Sequence, residues 1–139
     1  MATTENTYTG DGSTTTYSFT FPYLNTTDVK VSKDGTVLAL GSGATEYTQA
    51  TTSITLGTAA ASGAKIRIYR VTDDSGLTAT FYPGSAIRSA DLNDNFTQNL
   101  YSTQENTNEA ASATTTADAA VVTAVAASVV ADAASFVFS

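Results

Sequence analysis

The 139-residue chain has no cysteine, no histidine and no tryptophan, two prolines, and six lysines and arginines against 13 acidic residues. Without cysteine there is neither a disulfide framework nor a thiolate site, and the usual sign of redox compartment is missing. With histidine absent too, the commonest general bases, zinc ligands and activated nucleophiles are excluded together. Catalysis would have to rest on carboxylates. Charge of either sign is scarce: 14% of residues are charged, against roughly 25% in average proteins. Ser, Thr, Asn and Ala fill the places of Lys and Glu, and solubility rests on them and on a net charge of −7. That balance repels phosphate backbones and anionic lipid surfaces, which argues against nucleic-acid and membrane partners. No apolar stretch is expected to span a bilayer, and residues 1–10 lack the basic and apolar regions of a secretory signal. The product is therefore expected to start out soluble in a cytoplasm.

What is present divides at Ser89. The first part, residues 1–88, reads as a β-rich head with a modest core. Tyr17-Ser18-Phe19-Thr20-Phe21 alternates apolar and polar and puts three rings on one face of a half-buried strand, which Pro22 ends. Asp28 to Lys33 and Thr36 to Leu40 form two strand-like runs around Asp34-Gly35, the signature of a hairpin closed by a type I′ turn. Gly41-Ser42-Gly43 breaks the second run, and shorter ones follow at Thr45 to Thr48 and Thr52 to Leu56. Lys65 to Val71 alternates again, with Ile66 and Ile68 inward and Lys65, Arg67 and Tyr69 outward. Half of the basic residues lie in this strand; its outer face reads as solvated, with Asp73 and Asp74 near enough to neutralise it. Gly76 to Tyr82 gives one more expected strand, and Pro83-Gly84 a closing turn. The spacing suits a small antiparallel β-sandwich or barrel.

Residues 89–139 read as one long alanine-rich helix, with Ser89 as N-cap and Asp91 near the positive end of the dipole. Leu92, Phe96 and Leu100 recur at i+4. Further on, one heptad register collects alanines and another collects Val122, Val125, Val129 and Phe136; the valine register favours three strands or more. A helix well beyond about 25 residues buries nothing alone, which points to a coiled-coil stalk shared between chains. The rival reading of Glu109 to Ser139 is a disordered Ala/Thr/Ser linker.

No motif for chemistry survives inspection. Asp73 and Asp74 are adjacent in an expected turn, so their side chains diverge, unlike a glycosidase pair facing across a cleft. Gly10-Asp11-Gly12-Ser13 lacks the lysine and helix of a phosphate loop and reads as a tight turn. Asp11, Asp28, Asp34 and Asp94 miss the spacing of a calcium loop. The sequons at Asn25 and Asn95 match a pattern frequent by chance in so Asn/Thr-rich a chain. No catalytic, cofactor or metal residue is assigned. Tyr8, Tyr23, Tyr47, Tyr69 and Tyr82 outnumber what a small core needs and suit a protein surface better than a catalytic pocket, with core-edge filling as the alternative.

One set of residues carries a resemblance. In order they are Asp11-Gly12-Ser13, the Tyr17-Phe19-Phe21-Pro22-Tyr23-Leu24 strand, Thr52 to Leu56, Ile66-Arg67-Ile68-Tyr69-Arg70-Val71-Thr72, and Gly84-Ser85-Ala86-Ile87-Arg88 leading to Asp91-Leu92-Asn93. From about Asp11 to Glu105 the chain resembles the N-terminal anchor domain of tail fibres from short-tailed phages of the autographivirus type. The Arg-Val-Thr strand and the Gly-Ser-x-x-Arg-x-x-Asp-Leu-Asn junction are the most specific parts. The resemblance implies a structural virion protein, not an enzyme: a trimeric β head that docks onto the adaptor and nozzle proteins of the tail and supports host adsorption, continued by a stalk. Tyr23, Leu24, Tyr69 and Tyr82 are the expected tail-docking surface; Leu92, Phe96, Leu100, Val122, Val125 and Val129 are the expected trimer and stalk interface. The similarity fades after Glu105. The chain is then either part of a longer fibre or a short connector to a separate receptor-binding protein. Two rivals stand beside this reading. A carbohydrate-binding β-sandwich would use the tyrosines as sugar platforms, although the long helix argues against it. A hydrolase would act through carboxylates, for which no suitable pair exists.

Overall fold

The computed structural model of the protein describes residues 2–138, with side chains described to residue 128. Eight short strands precede one helix: β1 (Glu5–Thr9), β2 (Thr16–Ser18), β3 (Val29–Lys33), β4 (Thr36–Val37), β5 (Ala39–Leu40), β6 (Glu46–Gln49), β7 (Ser53–Leu56), β8 (Lys65–Arg70) and α1 (Ser89–Phe138). They form two four-stranded sheets, ordered β1-β8-β3-β4 and β2-β7-β6-β5. All pairings are antiparallel except β5 with β6, which is parallel. The chain divides into two compact units, Met1–Glu105 and Asn106–Ser139, so the first turns of α1 belong to the same unit as the sheets.

Alternation makes the core. Ile66 and Ile68 of β8, Val29 and Val31 of β3, Ile54 and Leu56 of β7, Tyr47 of β6 and Tyr17 of β2 are all buried. Each contributes about 1.5–3 kcal/mol of burial. Phe19 and Phe21 join them, with ring centroids 4.9 Å apart. The expected Tyr17–Phe21 strand is shorter than its pattern, however. The ladder stops at Ser18, where β7 begins at its partner Ser53. Beyond that point the backbone stays satisfied by other means: Phe19 N–H donates to the Thr52 carbonyl and Thr20 N–H to Asn6 Oδ1. Asn6 and Tyr8, whose hydroxyl donates to the Ser18 carbonyl, thereby tie edge strand β1 to the β2 segment of the other sheet.

The Asp34-Gly35 turn forms as the sequence indicates, with φ of 49° and 83° at the two positions. β3 and β4 pair across it, Lys33 with Thr36 and Ser32 with Val37. The return strand then divides. Leu38 N–H still donates to Val31 O, and the half-buried Leu38 side chain packs on the core. The chain crosses at this point to the second sheet, where β5 pairs with β6.

Two expectations near the helix are corrected. Residues 76–82 form no strand: side chains of α1 rather than a neighbouring strand bond the backbone of Gly76, Thr78 and Ala79, as described below. The helix starts at Ser89 itself, with the Arg88 carbonyl accepting from Leu92 N–H, so Ser89 occupies the first turn and not the cap. The helical reading of the region after Glu109 holds for the described residues: α1 is 50 residues long. Within Asn106–Ser139, hydroxyls of Thr114, Thr115, Thr116 and Thr123 donate to carbonyls four residues back, which satisfies these hydroxyls within the helix. One 18-residue window of α1 reaches a mean hydropathy of 1.2, so the helix is, contrary to expectation, long and apolar enough to cross a membrane by length and composition alone. Alanines and three valines produce that value. Residues 106–128 hold only Val121, Val122 and Val125 among strongly inserting types, beside Glu109 and Asp118, and a charge at the centre of a span costs about 2.5–3.5 kcal/mol.

Candidate functional site

The seam between α1 and the sheets is built from polar side chains spaced three and four residues apart. Asn95 brackets Ala79, accepting from its N–H and donating to its carbonyl, both at 2.9 Å. Gln98, itself buried, donates to the carbonyls of Asp73 and Gly76 at 2.6 and 2.7 Å and accepts from Thr78 N–H at 3.1 Å. A strap over residues 73–79 is thus held by two amides instead of a ladder.

Arg70, at the end of β8, closes the seam. Its position continues the inward parity of Ile66 and Ile68, and its side chain is fully buried. The guanidinium donates to Glu105 Oε1 (2.5 Å), Pro22 O (2.7 Å), Gln104 Oε1 (3.1 Å) and Tyr101 O (3.3 Å). It also lies 3.9 Å from the Tyr101 ring centroid. Glu105 further accepts from Thr72 N–H and hydroxyl. A buried cation requires such complete pairing. The expectation that this strand's basic residues form a solvated face neutralised by Asp73 and Asp74 is therefore corrected for Arg70, which pairs with Glu105, and Arg67 pairs with Glu5. Parity was the available signal for Arg70; its partner, 35 residues away on another element, left none.

With this face turned to the head, the stripe half a turn away is bare. Leu92, Phe96 and Leu100 are 39, 63 and 54% exposed, and at 3.6 residues per turn they lie roughly opposite the Asn95/Gln98/Glu105 face. They do not pack the helix on the head; polar residues do. Val122 and Val125 are exposed in the second unit, and Val129 lies outside the residues whose side chains are described.

The expected docking residues fall on different elements. Tyr23 belongs to the core edge, its ring against Phe19 and its hydroxyl donating to Thr51 O. Leu24 is half-buried beside it in the chain. Tyr82 is exposed in the loop before α1. Tyr69 is half-buried on the outer face of the first sheet, beneath Arg67, whose guanidinium carbon lies 4.3 Å from the ring centroid. A shallow groove of about 600 Å³ crosses that face, and Thr7, Ser32, Val37, Lys65, Arg67 and Tyr69 contribute to its lining. Of the remaining tyrosines, Tyr47 is buried and donates to Val29 O, and burial pushes its hydroxyl pKa up.

The carboxylates hold turns. Asp11 accepts from Ser13 N–H, Thr14 N–H and the Thr14 hydroxyl, and these bonds, the hydroxyl's foremost, hold its carboxyl well below the usual range. Asp28 accepts from Asn25 N–H, Asp34 from Lys65 N–H and Glu46 from Gly43 N–H. Asp73 is lowered by the Ser75 hydroxyl and N–H, whereas Asp74 accepts from Ser102. Adjacent carboxylates with separate partners do not form a general acid and base. Among the described residues no group of three acidic side chains could hold a metal ion. What the geometry offers is surface: a polar seam, a bare apolar stripe and a basic sheet face.

Comparison with known proteins agrees with that character. Residues 1–124 match the family described as Phage T7 tail fibre protein, N-terminal domain. No curated protein matches the chain.

Proposed function

The chain belongs to the phage T7 tail fibre protein N-terminal domain family, and from that premise we propose that its head fastens a trimeric fibre to the adaptor and nozzle proteins of the tail. At the coarser level it is a structural component of the phage tail fibre and so of the virion tail. The finer reading assigns three tasks. The sheets dock on the tail, α1 gathers three copies, and the assembly supports host adsorption without catalysis, with either a longer fibre or a separate receptor-binding protein beyond it.

The observation that carries the trimer is the division of α1 into a hydrogen-bonded face and an apolar one. Hydrogen bonds of Asn95, Gln98, Gln104 and Glu105 to the head set the helix's rotation, and that rotation leaves Leu92, Phe96 and Leu100 with water. Each would gain up to about 1.5–3 kcal/mol on full burial against neighbouring copies. In the second unit Val122, Val125 and Val129 are assigned a stalk seam of their own. Three linked heads then raise the effective concentration at the tail, so weak single contacts suffice. Analytical ultracentrifugation tests this: the chain sediments at three times its monomer mass, and Phe96→Asp with Leu100→Asp returns it to monomer. A wild-type monomer at micromolar concentration contradicts the reading.

A further inference from the structure

Three of the chain's basic residues are gathered on one sheet face. Its six basic residues are Lys30, Lys33, Lys65, Arg67, Arg70 and Arg88. Arg70 is buried in the seam and Arg88 precedes α1. The other four lie on β3 and β8, neighbours in the first sheet; Lys33 has the inward parity of Val29 and Val31 and shares the row of Ile66, which leaves Lys30, Lys65 and Arg67 on the outer face. Lys65 and Arg67 alternate with buried Ile66 and Ile68, so they project from the outer face. Register places Glu5, Tyr69 and Lys30 in one row across the sheet, and Thr7, Arg67, Ser32 and Val37 in the next. The groove on this face therefore offers a guanidinium, an ammonium, hydroxyls and one ring on paired strands, whose backbone is held by the ladder.

The only carboxylate of the two rows is Glu5, paired with Arg67 at 2.5 Å. Side-chain exposures of 52 and 42% for Arg67 and Glu5 make this a solvent-screened pair, of the kind that adds little to stability. An incoming carboxylate can replace Glu5 at little cost, since Arg67 keeps its stacking on Tyr69 and exchanges one carboxylate partner for another. Of the chain's 13 acidic and six basic residues, only Glu5 stands on these rows against Lys30 and Arg67, with Lys65 beside them, so an acidic surface is repelled from the rest of the molecule and attracted here.

We propose that the outer face of the β1-β8-β3-β4 sheet is the tail-docking surface of the head, and that its partner presents a carboxylate-rich protein segment that takes over Arg67 from Glu5. This rests on the tail-fastening reading above and names the surface and the partner's chemistry. Lys65 and Lys30 flank the contact, exposed Val37 gives it an apolar border, and salt weakens it. The partner is assigned as protein, not anionic glycan, because the head is the end of the fibre at the tail.

The test uses the full chain and tails stripped of fibres from the phage that encodes it, with R67E, the double variant K65E/R67E, and E5Q. Wild type binds saturably, and binding weakens as salt rises from roughly 50 to 500 mM. R67E loses about tenfold in affinity and K65E/R67E more, whereas E5Q binds as tightly as wild type or tighter. Unchanged thermal midpoints show that the variants fold. Equal binding by wild type and K65E/R67E overturns this inference and leaves the fastening reading intact; no binding by wild type overturns both. Binding to host lipopolysaccharide vesicles that R67E abolishes, with tail binding untouched, also overturns the inference by assigning the face to a glycan.

Discussion

Replacing Glu105 by alanine should be far more costly than its place on a helix surface suggests. The substitution strands Arg70, whose side chain has no exposure, and orphans the Thr72 N–H and hydroxyl. Removing one partner of a buried ion pair costs about 3–5 kcal/mol. Pro22 O, Gln104 and Tyr101 still contact the guanidinium, which puts the expected loss near the lower end, about 3 kcal/mol. For a unit of this size that lowers Tm by roughly 10–25 °C, at about 4–8 °C per kcal/mol. The control is Glu5→Ala, which breaks the exposed pair with Arg67 and should cost no more than about 1 kcal/mol. Thermal and urea unfolding, followed by tyrosine near-UV circular dichroism for the head and the 222 nm band for the helix, measure both. A second arm tests the cause: Arg70→Met with Glu105→Leu removes both charges and should recover much of the loss. Equal, small effects for Glu105→Ala and Glu5→Ala would refute the claim that the Arg70 cluster fastens α1 to the sheets.

Other consequences are checked more simply. Gln98→Ala unpairs the Asp73 and Gly76 carbonyls and Thr78 N–H and should open the strap, read as faster amide exchange at Thr78 and Ala79 and faster proteolysis between residues 74 and 82, for about 1–3 kcal/mol of local stability. Asp11 has a depressed folded pKa, so its contribution is complete above the unfolded value near 3.9 and is lost as pH falls below it; the stability gap between wild type and Asp11→Asn should be constant above about pH 5 and shrink in acid, and a gap independent of pH contradicts the assignment. Gly35→Val places a β-branched residue at φ 83° and should cost at least about 1–2 kcal/mol in urea unfolding. Val125→Asp should loosen the stalk; an unchanged mass in ultracentrifugation removes Val125 from the seam.

The sequence reveals those elements whose signal is local. Alternation in Lys65 to Arg70 and Ser53 to Leu56 gives one central strand of each sheet, β8 and β7, and Asp34-Gly35 gives the turn because few residues tolerate positive φ at successive positions. Signals fail where the partner is distant. Phe19 and Phe21 keep the parity of a strand and are buried like one, yet the neighbouring ladder ends at Ser53, which no local pattern announces. Residues 76–82 look like a strand, but Asn95 and Gln98 bond the backbone of Gly76, Thr78 and Ala79 from the helix. Arg70 shows only parity, and its complement at Glu105 is visible only in the fold. The periodic stripe Leu92, Phe96 and Leu100 is legible, but which face meets the head is decided by the polar residues between. Tyr23 and Tyr47 illustrate the ambiguity of aromatics: both fill the core or its edge, while Tyr69 and Tyr82 reach the surface.

The central claim, that this head fastens a trimeric fibre to the tail, is tested most directly by adding purified chain to fibreless tails of its own phage. The number of bound copies per tail is counted by quantitative mass spectrometry or electron microscopy. Saturable binding in multiples of three is the predicted result; absence of binding, or a saturating copy number not divisible by three, would contradict it.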